Sequence, residues 1–297
     1  MSNAILFDSS RCSSCKGCQV SCKTWNNLPS PLEVNAAEFS GSLQNPVDVN
    51  GDTRLIITFS ERNEAEGGSK GVEWAFGRKA CMHCADPACV KACPSGCLQI
   101  DEETGFVRYD TEKCIGCQYC KSACPFDIPR HTNVTPLGND IVINKCDGCL
   151  DRVSQGRAPA CVTTCQANSL QYGDRDEMLK IAEERVQWLH DEGYDQASVY
   201  GQDECGGLHV IYVLKYDISM YGLPENPQSG GMVDLLNIMR PLAGLAAGAT
   251  VVGLGVSFLT GLGYKRDEVR YDEETHNIID VKTGDVVKHI DVEGGER

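Results

Sequence analysis

The chain has 297 residues, a formal net charge of −15 and 41% hydrophobic residues. That length and composition give one or two globular units and exclude a nucleic-acid binder, which needs clustered Lys and Arg. The outlier is 18 cysteines, sixteen of them in four tight groups, a pattern that points to metal because disulfide frameworks are small and evenly stapled.

The first group is Cys12, Cys15, Cys18 and Cys22. Only eleven residues precede it, too few for a cleavable signal peptide, and no twin-Arg pair stands there. An exported chain would then travel on a signal carried by a partner. A loop-rich stretch follows over about 26–72, broken by Pro29, Pro31, Pro46 and Gly67-Gly68, with one strand expected at 54–59. The second group is Cys81, Cys84, Cys89 and Cys93. Residues 98–100 and 106–109, joined by a polar turn ending at Gly105, read as a β-hairpin. The third group is Cys114, Cys117, Cys120 and Cys124, and a short strand at 141–143 leads into the fourth, Cys146, Cys149, Cys161 and Cys165.

A surface helix comes next. Asp174 caps it, Glu177 sits three residues on, Gly193 ends it, and Met178, Ile181, Ala182, Val186 and Leu189 form its apolar stripe. Residues 209–214 read as a strand. From 241 to 264 there is no charge. As a helix that stretch spans about 36 Å, enough to cross a bilayer core of roughly 30 Å. Gly244, Gly248, Ala249 and Gly253 suit close packing against another helix. Lys265, Arg266 and Arg270 follow the span, whereas Arg240 alone precedes it. The positive-inside rule then puts the tail in the cytoplasm and the cysteine domain outside. In the tail, 278–281 and 286–290 could pair as a hairpin.

Groups one and three share the spacing Cys-x2-Cys-x2-Cys-x3-Cys, and group three ends in Cys124-Pro125, the bacterial ferredoxin run for a [4Fe–4S] cluster. Group two widens one gap to four residues, and group four widens it to eleven. Three nucleating cysteines and one remote cysteine per group imply four [4Fe–4S] clusters in crossed pairs. Zinc would fit four isolated cysteines but explains neither the Cys-Pro endings nor the repeated spacing. Cys97 and Cys205 remain as buried free thiols, and His83 could tune a cluster but reads first as a packed side chain. No P-loop, dinucleotide fingerprint or HExxH motif occurs. The chain reads as a wire with no catalytic residue of its own.

Four groups in this order resemble the four-cluster iron–sulfur subunits of molybdenum and tungsten bis-pterin oxidoreductases, in particular the β subunits of membrane-bound respiratory formate dehydrogenases. The resemblance rests on CQVSC at 18–22 followed by Trp25, on CMHCADPAC at 81–89, and on CPFDIPR at 124–130. Asp151, Arg152, Pro159 and Cys161, then GLHVIYVL at 207–214, YGLP at 221–224 and the single apolar helix extend it. Lys23 and Gln166 stand where Pro can follow the last cysteine of a group. The resemblance implies a crossed ligand assignment. Cys12, Cys15, Cys18 and Cys165 would hold one cluster, and Cys146, Cys149, Cys161 and Cys22 its neighbour. Cys81, Cys84, Cys89 and Cys124 would hold a third, and Cys114, Cys117, Cys120 and Cys93 the fourth.

The expected fold is α+β. Residues 1–231 form two ferredoxin-like [4Fe–4S] modules with inserted loops, one from about 1–30 with 140–175 and the other from about 75–130. A transmembrane helix at 232–264 and an acidic tail at 265–297 follow. The resemblance further implies a catalytic molybdenum or tungsten pterin subunit, a membrane cytochrome or quinone-reactive subunit, and the lipid bilayer as partners. A dimethyl sulfoxide, polysulfide, thiosulfate or tetrathionate reductase could use the same wire, as could a stand-alone tethered carrier.

Overall fold

The computed structural model describes residues 2–29, 41–62, 71–132, 141–228, 231–262 and 268–290. Pro31, Gly67, Gly68, Lys265 and Arg266 lie outside the described residues. The chain divides into two units, 1–237 and 238–297.

The first unit is organised around one four-stranded sheet. Its strands are β1 (Asn3–Asp8), β8 (Leu170–Asp174), β9 (Ser198–Tyr200) and β10 (Val210–Leu214), in the order β8-β1-β10-β9. β1 runs parallel to β10, with Ile5 opposite Val210, and antiparallel to β8. Side chains alternate across a strand, and here both faces are buried. Ile5, Phe7, Val210, Tyr212 and Leu214 face a core that contains Cys18, Cys22, Cys81, Cys146 and Cys161. Ala4, Leu6, Ile211 and Val213 face the helix α6 (Arg175–Asp191) through Met178, Ala182 and Leu189. Each such large apolar side chain contributes about 1.5–3 kcal/mol on burial, so the sheet is the fixed wall behind the cysteines.

The expected α6 is present with its stop signals. The Asp174 carboxylate accepts from the backbone N–H of Asp176 and Glu177, and Gly193 takes φ +87° just past the end. The expected hairpin forms as β4 (Leu98–Ile100) against β5 (Val107–Tyr109). The strand expected at 54–59 starts and ends later, as β2 (Ile56–Arg62), because it pairs along its whole length with β3 (Glu73–Lys79). The strand at 141–143 is β7 (Val142–Asn144), paired with β6 (Arg130–Thr132). β1 itself was not expected. Four apolar residues between Asn3 and Asp8, beside a cysteine loop, carry little local signal, and the parallel partner lies about 200 residues away.

In the second unit, α7 (Gly231–Leu262, which begins in the first unit) contains a 19-residue stretch, Gly244–Leu262, with mean hydropathy 1.8 and none of it buried in the chain. It is long and apolar enough to cross a membrane. The tail hairpin forms as β12 (Asn277–Asp280) with β13 (Val286–His289). A third strand, β11 (Val269–Asp272), pairs on the other edge of β12.

Candidate metal centres

Each cysteine group is a loop that leads into a short helix. In all four groups the residue just before the second cysteine has positive φ: Ser14 (54°), His83 (50°), Gly116 (67°) and Gly148 (76°). A left-handed residue there curls the backbone so that neighbouring cysteines turn to one side. The third cysteines ride on helices: Cys18 on α1 (Gly17–Trp25), Cys89 on α2 (Ala88–Lys91), Cys120 on α3 (Tyr119–Ala123) and Cys161 on α5 (Ala160–Thr163). A further short helix, α4 (Leu150–Val153), follows Cys149. After the fourth cysteine, Gly96, Asp127 and Asn168 again take positive φ, each three residues on. The four groups are therefore one backbone device used four times, with group one replacing the last turn by a longer helix.

The helices pack in two pairs, α1 on α5 and α2 on α3. The remote cysteines follow that pairing. Burial pushes the Cys22 thiol well up, and Cys146, Cys161 and Cys149 of group four raise it further, against Arg54. Cys12 is raised by burial, then by Cys165 and Cys15. Burial pushes Cys124 up to about 11, with Cys81 as its cysteine neighbour. Cys120 is pushed up to about 12 by burial and then by Cys117, Cys93 and Cys114. Links between the sets run in one line. Cys18 neighbours Cys161, Cys146 neighbours Cys81, and Cys89 neighbours Cys120.

The space within one set suits a cluster. A small cavity is lined by Cys12, Cys15, Cys18 and Cys165 together with Phe7, Ile57 and Leu170. The raised thiols fit this as well. Without metal they stay protonated, and ligation releases those protons while tying assembly to folding.

Hydrogen bonds to sulfur surround the sets. The Leu170 amide donates to Cys165 Sγ (3.4 Å), the Gly148 amide to Cys146 Sγ (3.5 Å) and Asn26 Nδ2 to Cys22 Sγ (3.7 Å). Among the candidate ligands with a resolved shift, Cys93 alone is lowered. Burial would raise it, but the amides of Leu98, Cys97 and Ser95 and the Ser95 hydroxyl outweigh that and lower it. Such donors raise cluster potentials by stabilising the reduced, more negative form.

The chain matches a family of 4Fe–4S dicluster domains over residues 72–175. It is 38% identical to the nitrate-inducible formate dehydrogenase iron–sulfur subunit of Escherichia coli over 278 residues, 92% of this chain and 90% of that one. The chain belongs to the formate dehydrogenase iron–sulfur subunits. The formate dehydrogenase iron–sulfur subunit of Haemophilus influenzae is also 38% identical, covering 86% of this chain and 80% of its own. A formate dehydrogenase 2 subunit β (cytochrome c-553) of Nitratidesulfovibrio vulgaris is 39% identical over 63% of this chain and 83% of its own.

Other side chains pack around the cysteine sets. His83 is fully buried and packs on Phe106, with ring centroids 4.7 Å apart. Its Nδ1 accepts from the Val107 amide (3.0 Å), so Nε2 carries the proton, and burial holds the ring neutral. Nε2 has no partner among the described residues. Lys145 is buried but satisfied, donating to the carbonyls of Val107 (2.6 Å) and Cys146 (2.8 Å). Arg78 is buried with no such partners. Cys97 is a buried thiol, as expected, beside Cys114 and Cys93. Cys205 is only half-buried. It donates to the Pro227 carbonyl (3.2 Å) and neighbours Cys84, whose thiol is raised by that contact and by burial. No sequence pattern marks Arg78 or Lys145, because their neighbours come from distant segments.

Proposed function

We propose that this formate dehydrogenase iron–sulfur subunit carries four [4Fe–4S] clusters in two ferredoxin-like modules. They relay electrons from a formate-oxidising molybdenum or tungsten pterin subunit to a membrane cytochrome or quinone site. Each cluster takes up and passes on one electron at a time. The ligand sets are Cys12, Cys15, Cys18, Cys165; Cys146, Cys149, Cys161, Cys22; Cys81, Cys84, Cys89, Cys124; and Cys114, Cys117, Cys120, Cys93. The observation that carries this reading is the neighbourhood of Cys22 with Cys146, Cys149 and Cys161, matched by α1 on α5 and α2 on α3.

The protein's own work is spacing and tuning. The sheet wall and the paired helices hold the sets in the line one, four, two, three, so an electron makes only short hops. The terminal sets each expose a cysteine, Cys15 and Cys117, where partner centres could approach. The apolar span Gly244–Leu262 would anchor the chain in the membrane, and the excess of Lys265, Arg266 and Arg270 after it favours a cytoplasmic tail with the clusters outside. The domains are then 1–231, 232–264 and 265–297.

The test is formate-dependent bleaching of the iron–sulfur absorbance in the anaerobically purified, detergent-solubilised complex. Rapid bleaching by formate supports the relay. Bleaching by dithionite but not by formate overturns formate as the electron source and moves the weight to a sulfoxide or sulfur-compound reductase.

A further inference from the structure

Arg78 stands at the middle of the cysteine line. It lies on β3, three residues before Cys81, and is 2% exposed. Nε, Nη1 and Nη2 all lack a hydrogen-bond partner among the described residues. A guanidinium carries five N–H donors and stays charged. Burying it unpaired costs several kcal/mol, so a folded chain that keeps it there has an acceptor for it. The carbonyl of Arg78 is already taken by the Tyr212 hydroxyl (2.7 Å), which spends its proton there. No carboxylate pairs with Arg78 among the described residues.

The groups that bear on the guanidinium are the Tyr212 hydroxyl and cysteines, and one hydroxyl oxygen meets only a small part of a five-donor fork. Burial alone would lower its pKa, but Tyr212 and the thiolates of Cys161 and Cys146 turn the shift upward. Arg78 in turn opposes the burial effect on Cys18, Cys146 and Cys161. Other cations near the sets are spent elsewhere. Arg54 donates to Asn144, Asn26 and Asp147, and Arg152 to the Ala158 carbonyl and Thr163.

We propose that Arg78 is the potential-setting residue of the group-four cluster, its orphaned guanidinium lying toward Cys146 and Cys161, donating to the sulfide that cluster would bring and holding a fixed positive charge in the middle of the relay. Reduction adds one electron to a cluster and breaks no bond. A buried cation beside it stabilises the reduced form, which raises the potential of that step. Arg78 thereby makes an inner cluster easier to reduce than its burial would allow. The inference rests on the four-cluster reading.

The test uses the anaerobic membrane complex, with iron content and spin count read alongside an EPR-monitored redox titration. In R78Q, with four clusters retained, one signal should lose at least about tenfold in its reduced-to-oxidised ratio at fixed potential, a shift of 59 mV downward for a one-electron couple. R78K, which keeps charge but not the fork, should shift the same signal less. Four unshifted signals in R78Q overturn the proposal. Should R78Q lose a cluster, wild-type protein labelled with guanidino-15N arginine decides. A weak 15N coupling to one reduced cluster, absent in R78K, supports the proposal, and no such coupling in the wild type overturns it. Fewer than four clusters in the wild type would instead count against the four-cluster reading.

Discussion

Groups two and four leave no cysteine fully exposed, although Cys84, Cys93 and Cys165 are half-buried, whereas groups one and three each expose their second cysteine, Cys117 in group three and Cys15 in group one. The local backbone is the same in all four, down to the positive φ before the second cysteine. What differs is the surroundings. The sheet wall backs groups one, two and four alike, but the buried polar side chains Arg78, Lys145 and His83 lie among the inner groups. The outer groups open to surface bearing Val20 and Leu43 on one side and Ile115 and Tyr119 on the other. The same device thus serves two tasks. Buried sets need internal cations to make added negative charge tolerable, and exposed sets use water for that and give partners a way in.

Replacing an inner ligand should break the comparison most severely. Cys149→Ala should remove the group-four cluster, about four irons per chain, and expose the loss as a poorly folded domain, because ligation is coupled to folding. Iron analysis with circular dichroism reads this. Retention of all iron would refute the ligand assignment. Cys117→Ala in an outer set should cost one cluster while leaving the fold intact and should stop electron flow from formate.

A glycine pair sharpens the contrast. A Cβ at Gly148 in inner group four would land on the Phe106 ring, and its φ is +76°. Gly148→Ala should therefore prevent stable assembly. Gly96 after group two has φ +67° but open space around it, so Gly96→Ala should cost only the left-handed penalty of about 1–2 kcal/mol. Thermal denaturation of the holo-complex compares the two, and equal effects would contradict the packing difference. Controlled ferricyanide oxidation should next remove the outer clusters before the inner ones, as followed by EPR. Loss in the reverse order would mean exposure does not govern access.

The smallest effect lies at the surface. Partial burial would raise the Asp48 carboxyl, but Lys79 (2.7 Å), Arg130 (2.7 Å) and the Val49 amide hold it below the usual range. A depressed carboxylate stabilises fully above its unfolded pKa of about 3.9 and loses that effect as pH falls through its folded value. Asp48→Asn should cost under about 1 kcal/mol at neutral pH. The difference from wild type should vanish in acid, when both are compared by thermal midpoint against pH.

Much of this protein was readable locally. The ferredoxin spacing, the Asp174 cap and stripe of α6, the hairpin across Gly105 and the uncharged run ending near Tyr264 each depend on residues within a few turns of one another. Crossed assignment came with the resemblance, since four loops of similar spacing leave several pairings open. β11 escaped notice because an isolated four-residue strand is decided by its neighbour in the sheet.

Cysteine spacing, then, was sufficient for the chemistry, because a cubane demands thiolates a few residues apart on one turn of chain. The tertiary structure alone decided which cysteines face across groups, which sets are inner or outer, and that Arg78 is buried among them. Those features depend on β1 meeting β10 across 200 residues and on helices packing in pairs, and long-range packing leaves almost no trace in local pattern.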